Sequence, residues 1–202
     1  MAKSPHVAGY YFSQMFSFHN VRDVGYTGLQ PRSDSKGNSI VHAAFSSFQN
    51  GTTTTHPNCH NGADYGPGVS CAVDIIGNYD HTYNLVVQLV QDTTWRGALV
   101  DAVTGTSTVI GEWTLPKGSG KLNNANTGFV EYYPWNGKSK ADIVCGTLPH
   151  SESTFYDPTS TTAGTGNGSV YGIFEYNDAG CKGKTGFSST KVPGGYNIKV
   201  GF

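Results

Sequence analysis

The stretch Tyr83-Asn84-Leu85-Val86-Val87-Gln88-Leu89-Val90-Gln91 decides the fold class. Its residues alternate, so that every second side chain from Tyr83 to Leu89 would share one face of an extended strand. The same alternation recurs along the chain, and no segment sustains the 3.6-residue period of a helix. The sequence therefore predicts an all-β protein.

Eleven other segments have the composition and alternation of strands. Gly105 supplies a turn that would join two of them into a hairpin. A dozen strands at this spacing are typical of a sandwich or barrel, and we expect a single domain over residues 1–202. The predicted architecture is a jelly-roll-like (concanavalin A-like) β-sandwich of two antiparallel sheets. The eleven segments are residues 7–18, 25–32, 39–48, 69–76, 95–104, 106–115, 127–135, 143–148, 170–176, 185–190 and 196–202.

Charge and hydropathy exclude two classes of partner. Only 13% of the residues are charged and the formal net charge is −1, so the chain offers no basic field to nucleic acid or to an anionic membrane. No run of about 18 apolar residues occurs, which argues against a membrane span. We expect no nucleic-acid partner and no membrane span.

Four cysteines permit three pairings. We favour Cys59–Cys71 and Cys145–Cys181 as two disulfides, which predicts a secreted, extracellular protein. The first bridge would tie a polar, turn-rich loop between two strands. The alternative is four buried, reduced thiols in a cytosolic protein.

Glu131 is the first candidate for chemistry, within Phe129-Val130-Glu131-Tyr132-Tyr133-Pro134-Trp135. On a continuous strand, Glu131 would share a face with Tyr133 and Trp135, as a carboxylate flanked by aromatic rings. Such a face could hold a polar substrate by stacking and hydrogen bonds. The alternative is an exposed edge-strand glutamate beside core aromatics.

A second candidate lies in residues 23–32. Strand alternation places Tyr26, Gln30 and Arg32 on one face, so an amide and a guanidinium would point the same way. Polar side chains need partners if they are buried, and a network with Glu131 would supply them without any function.

No metal or cofactor motif is present in the sequence. The histidines lack HxH or HExxH spacing, and there is no nucleophile elbow, phosphate loop or dinucleotide-binding turn. Calcium could bind only through Asp64, Asp74 or Asp80 with loop carbonyls, since no DxDxDG run exists. We expect no cofactor.

Residues 10–136 resemble an uncharacterised family of secreted bacterial and fungal domains. The resemblance lies in Gly25-Tyr26-Thr27-Gly28-Leu29-Gln30, which matches the family's Gly-Tyr-x-Gly-Leu/Ile-Gln strand. Such domains accompany carbohydrate-active modules, so the resemblance implies glycan recognition by association.

The same region is also similar to the glutamic-peptidase sandwiches, including the neprosin-like ones. Those enzymes pair a glutamate with a glutamine or a second glutamate on neighbouring strands of the concave sheet. Gln30 resembles the glutamine site and Glu131 the glutamate site. Asp23 stands before Val24-Gly25-Tyr26, where neprosin-like sequences carry a glutamate before Gly-Trp.

Two functions follow, and both use the same predicted face. The favoured hypothesis is a lectin-like protein that binds a carbohydrate or glycoconjugate through Tyr26, Gln30, Arg32, Glu131, Tyr133 and Trp135. The alternative is a glutamic-type peptidase or related hydrolase, with Glu131, Gln30 and Asp23 as catalytic residues and a peptide as substrate. A structural surface protein without activity is a third interpretation.

Overall fold

The structure is a computed structural model that describes residues 1–176 and 180–202. Nearly all of its regular structure is β. Three 3₁₀ helices of three residues each occur at Tyr133–Trp135, Lys140–Asp142 and Cys145–Thr147, and no helix of the described chain is long and apolar enough to cross a bilayer. The strands are β1 (Tyr10–Phe16), β2 (Gly25–Ser35), β3 (Asn38–Ser47), β4 (Cys59–Ala63), β5 (Gly66–Ile76), β6 (Tyr83–Gln91), β7 (Thr94–Asp101), β8 (Ser107–Thr114), β9 (Thr127–Tyr132), β10 (Ser151–Tyr156), β11 (Ser188–Val192) and β12 (Gly195–Val200).

The described residues form two compact units. One consists of His6–Glu131, and the other of Met1–Pro5 with Tyr132–Phe202. The expectation of a single domain over residues 1–202 stays a prediction. Each unit is described by itself below.

The His6–Glu131 unit is a β-sandwich, which confirms the predicted fold class. Its larger sheet has the order β4-β5-β3-β2-β1-β9, and its smaller sheet has the order β6-β7-β8. Phe45 of β3 stacks on Trp113 of β8, with ring centroids 4.6 Å apart and planes inclined by 15°. Both side chains are buried, so this contact joins the two sheets across the core.

Two glycines allow the sheets to approach closely. A Cβ atom at Gly97 would lie 2.3 Å from Cγ of Phe45, and one at Gly111 would lie 2.5 Å from the sulfurs of Cys59 and Cys71. Both distances are shorter than any van der Waals contact. Glycine at these positions therefore lets a ring and a disulfide fill the space between the sheets.

The second unit contains a three-stranded antiparallel sheet of order β10-β12-β11. Lys3 reaches this sheet and forms an ion pair with Glu152 of β10 at 2.9 Å. The Cys145–Cys181 disulfide lies in the same unit. Its chain is otherwise rich in irregular segments.

Both predicted disulfides are confirmed, but the predicted loop between Cys59 and Cys71 is wrong. These cysteines face each other across the β4–β5 hairpin, whose two-residue turn is Asp64–Tyr65. Both turn residues have positive φ, 45° and 64°, which a tight hairpin turn requires. The turn-rich composition thus closes a hairpin instead of a loop.

The strand predictions fail mainly after residue 132. Residues 143–148 contain a 3₁₀ turn, residues 170–176 have no regular structure, and the strand predicted at 185–190 lies at Ser188–Val192. Gly172 has φ of 67°, which interrupts an extended strand in the second of these segments. The strand Ser151–Tyr156 was not predicted, because its polar residues show no apolar alternation.

Candidate functional site

The candidate site lies on the outer face of the six-stranded sheet, the side turned away from β6, β7 and β8. On β2, Thr27 and Leu29 are buried toward the core, whereas Tyr26, Gln30 and Arg32 are half-buried on the outer face. Strand alternation therefore places these three side chains together, as the sequence predicted.

The antiparallel register arranges the outer face in rows that cross the strands. Gln30 of β2 pairs with His42 of β3, which pairs with Asp74 of β5. Tyr26 lies four residues before Gln30 on β2. It pairs with Ser46 of β3 and belongs to a second row. Paired residues in a sheet project to the same side, so each row presents its polar side chains on one surface.

Between these two rows runs a row of small residues: Ser13, Gly28, Ala44 and Ala72. The ring of Tyr11 lies against Gly28, where a Cβ atom would approach the Tyr11 Cε2 to 2.6 Å. Tyr11 also contacts Tyr26 edge-on, with centroids 5.2 Å apart. The small row thus gives Tyr11 room to pack on the sheet beside Tyr26.

Gln30 is held by its neighbour on the same face. Arg32 Nη2 donates a hydrogen bond to Gln30 Oε1 at 2.7 Å, and Arg32 Nη1 donates to the carbonyl of Pro31 at 3.0 Å. Because a guanidinium can only donate, this contact fixes the amide with its oxygen toward Arg32. Within residues 1–176 and 180–202, the amide nitrogen of Gln30 has no acceptor.

Tyr26 carries a hydrogen bond to the β4–β5 turn. Its hydroxyl donates to both carboxylate oxygens of Asp64, at 3.1 and 3.2 Å. Burial and the adjacent negative charge of Asp64 raise the pKa of Tyr26 far above its ordinary value. Tyr26 therefore stays a neutral donor across the physiological range.

Glu131 lies near these tyrosines, on the strand beyond β1. Phe129, two residues before it on β9, contacts Tyr11 edge-on with centroids 5.9 Å apart. Burial raises the pKa of Tyr11 well above its ordinary value, and the negative charges of Asp64 and Glu131 raise it further. The same carboxylate contributes to the raised pKa of Tyr26. Glu131 thus shares the outer face with Tyr11 and Tyr26.

His42 and Asp74 form a pair in the Gln30 row. The His42 Nδ1 lies 2.7 Å from an Asp74 carboxylate oxygen, and the histidine side chain is 20% exposed. Burial lowers the pKa of His42, the hydrogen bond to the Asp74 carboxylate opposes this shift, and the positive charge of Arg32 lowers the pKa further. The face therefore holds a neutral imidazole at neutral pH.

Two predicted site residues, Tyr133 and Trp135, lie outside the strand that carries Glu131. The strand predicted at 127–135 ends at Tyr132. The next residues, Tyr133–Trp135, form a 3₁₀ helix whose middle residue, Pro134, has no N–H to donate to a strand ladder. The Asn136 N–H closes that turn on the Tyr133 carbonyl at 2.9 Å. The predicted continuous strand over 127–135 is therefore wrong beyond Tyr132, and the binding roles of Tyr133 and Trp135 stay predictions.

Asp23 precedes the strand that carries Gln30. Its backbone N–H donates to Gln49 Oε1 at 3.2 Å. Gln30 lies five residues beyond the first residue of β2, Gly25, which corresponds to about 16 Å of extended chain. Asp23 is thus far along the strand from Gln30, and its catalytic role stays a prediction.

Sequence reasoning missed Tyr11, His42 and Asp64 as members of this face. Asp64 could not be placed, because the β4–β5 hairpin was predicted as a loop. His42 and Asp74 become partners only through the β3–β5 register, which joins strands separated along the chain by β4. In the described part of the chain, no group of three histidine, cysteine or acidic side chains is arranged to hold a metal ion.

No protein-family model and no curated protein sequence matches this chain. Among solved structures, it is similar to aspergilloglutamic peptidase from Aspergillus niger. The two share 10% sequence identity with a TM-score of 0.52, and the alignment covers 95% of this chain and 99% of the peptidase chain. A likeness at this identity shows a shared fold.

Proposed function

We propose that this chain is an extracellular hydrolase of the glutamic-peptidase type, which cleaves peptide bonds on the outer face of its six-stranded sheet. The observation that carries the proposal is the fixed amide of Gln30, whose oxygen is held by Arg32 while its nitrogen has no acceptor in the described chain. The fold shared with a glutamic peptidase supports the same assignment. Two disulfides are compatible with an extracellular location.

Glu131 is the proposed base and acid of the reaction. Its carboxylate takes a proton from a water molecule, whose oxygen attacks the carbonyl carbon of the scissile peptide. The protonated Glu131 then gives that proton to the departing amine as the C–N bond breaks. One residue thus serves both steps, and the proton that it takes from water leaves with the amine.

Gln30 is the proposed stabiliser of the oxyanion. The attacked carbonyl oxygen gains negative charge, and the Gln30 amide N–H groups donate hydrogen bonds to it. An amide held in advance by Arg32 needs no reorganisation when that charge develops. We assign Tyr11 and Tyr26 to the shape and electrostatics of the site, since their raised pKa values keep them neutral beside Glu131.

Carbohydrate binding is the competing hypothesis, and strand alternation no longer supports its aromatic platform. It required Tyr133 and Trp135 to stack sugars on the strand face of Glu131, but both residues lie in a 3₁₀ helix. Of the predicted ligand-binding set, Tyr26, Gln30, Arg32 and Glu131 remain on the sheet. This remaining set fits a polar peptide group better than a stacked sugar ring.

The test is cleavage of an unfolded protein substrate. Reduced, alkylated casein is incubated with the protein between pH 3 and pH 8, and new peptides are identified by mass spectrometry. We expect cleavage by the unsubstituted protein and a loss of about 10²-fold or more in Glu131→Gln. Asp92→Asn is the matched control, because it removes an exposed carboxylate from the β6–β7 turn.

Two results would contradict the proposal. Cleavage that survives in Glu131→Gln overturns the proposed role of Glu131. No cleavage at any pH, together with binding on a glycan array run with the same protein, overturns the peptidase and restores carbohydrate binding.

A further inference from the structure

Strand β6 is an open edge of the smaller sheet. It pairs with β7 on one side, and within the described chain no strand pairs with its other side. Every second backbone N–H and C=O of an edge strand points away from the sheet and is free to bond another strand. We call this surface, residues Tyr83–Leu89, the β6 edge.

The opposite edge of the same sheet is capped at one end by the chain itself. Thr53 and Thr114 of β8 exchange two backbone hydrogen bonds, at 3.0 and 2.8 Å. The Thr54 hydroxyl donates to the Glu112 carbonyl at 2.6 Å. The fold thus caps the end of β8 at Glu112 and Thr114, whereas no strand of the described chain bonds the outer side of β6.

The β6 edge lacks the features that usually prevent strand pairing. The strand has no charged residue, no proline and no glycine over nine residues. Val86 is 38% exposed and Leu89 is 41% exposed. Long, uncharged edge strands with exposed apolar side chains pair readily with other strands.

We propose that the β6 edge binds the same edge of a second copy of this chain, as an antiparallel pair centred on Val86. The centre follows from the ladder to β7, whose register shifts between Leu89 and Gln91, so the regular segment is Tyr83–Leu89. Its midpoint is Val86. Two three-stranded sheets would join into one of six strands related by a two-fold axis.

The sequence of the strand is complementary to itself in this register. Asn84 would lie opposite Gln88 of the second copy, so that amide meets amide. On the other face, Leu85 would lie opposite Val87, and Tyr83 opposite Leu89. On this second face apolar residues meet apolar residues, on the first face amide meets amide around the Val86 pair, and no charges oppose one another. This self-match favours a second copy over an unrelated extended peptide.

The test compares two equally exposed valines in one row of the sheet. Val86 and Val109 both pair with Ala98, from opposite sides, and they are 38% and 37% exposed. Val86→Lys would place two lysines on the two-fold axis, whereas Val109→Lys adds the same charge to β8, at the other edge of the sheet. Sedimentation velocity over a dilution series measures the association of each variant, and thermal unfolding checks that both fold.

We expect the unsubstituted protein to form dimers that dissociate on dilution. Val86→Lys should associate at least about tenfold more weakly, and Val109→Lys should behave as the unsubstituted protein. A protein that is monomeric at every concentration overturns the proposal, as does a dimer that Val86→Lys leaves intact.

Disulfide crosslinking tests the register of the two paired β6 strands separately from their association. Val86→Cys should form an intermolecular disulfide with itself under mild oxidation, because position 86 lies on the axis. Asn84→Cys should not, since its partner is position 88. Equal crosslinking of the two variants contradicts the register.

Discussion

Arg32 Nη2 donates a 2.7 Å hydrogen bond to Gln30 Oε1, so two side chains on one face of β2 hold each other in place. They lie two residues apart, which strand geometry makes the shortest spacing on a single face. The contact decides which end of the amide is presented outward. It therefore connects a local strand pattern to the chemistry proposed for the sheet.

Removing this contact should lower turnover more than substrate affinity. In Arg32→Met, the Gln30 amide would rotate freely, and we expect kcat on the casein substrate to fall about tenfold with little change in KM. Arg32→Lys should recover part of the loss, because an ammonium also donates to Oε1. Steady-state kinetics with a single cleaved peptide measures both constants.

The matched control for Arg32 is Arg22→Met, which removes a guanidinium from the segment that precedes β2. It should leave kcat unchanged. An equal fall in kcat for both variants would mean that net charge, and not the orientation of Gln30, controls the rate.

His42 should make the fold less stable in mildly acidic solution. Burial lowers its pKa in the folded chain, so the unfolded chain binds the proton first as pH falls below about 6.5. The stability that neutral His42 contributes to the folded chain is therefore complete above that pH. This contribution is lost as the pH falls through the lower pKa that His42 has in the folded state. We expect the free energy of unfolding to drop less between pH 7.5 and pH 5 in His42→Gln than in the unsubstituted protein.

Urea denaturation at both pH values measures this difference. His60→Gln is the control, since His60 is exposed at the edge strand β4. If the free energy of unfolding falls equally between the two pH values in His42→Gln and in the unsubstituted protein, protonation of His42 is not the cause of the fall.

Gly97 should tolerate no side chain. A Cβ atom there would overlap the Phe45 ring, whose Cγ lies 2.3 Å away, in the contact that joins the two sheets. Gly97→Ala should therefore lower the free energy of unfolding by about 2 kcal/mol, measured by urea denaturation. Gly146→Ala, which meets open space, should change it by less than about 0.5 kcal/mol. If both variants lose the same free energy of unfolding, the predicted overlap between a side chain at position 97 and the Phe45 ring is contradicted.

Much of the sandwich was predictable because its strands bury alternate residues. The prediction for 83–91 coincides with β6, and those for β2, β3, β7 and β8 agree within three residues at each end. Alternation indicates which residues share a face, so Tyr26, Gln30 and Arg32 were grouped correctly. It cannot show where a strand stops when the next residues are aromatic, as Tyr133 and Trp135 demonstrate.

The rest of the site depends on contacts between distant segments. Asp64 reaches Tyr26 only because the disulfide-linked β4–β5 hairpin turns back through two residues of positive φ. Tyr11 belongs to the face because Gly28 leaves space for its ring. Neither contact can be predicted from local periodicity, since each depends on which strands are neighbours in the sheet.

The most direct test of the central claim is a double-mutant cycle between Gln30 and Glu131, measured as kcat/KM for casein cleavage by Gln30→Ala, Glu131→Gln and the double variant. If the two residues act on the same reacting carbonyl, the double variant should be no slower than the slower single variant, within about threefold. Losses that multiply in the double variant would contradict the account, because they would show that Gln30 and Glu131 act independently.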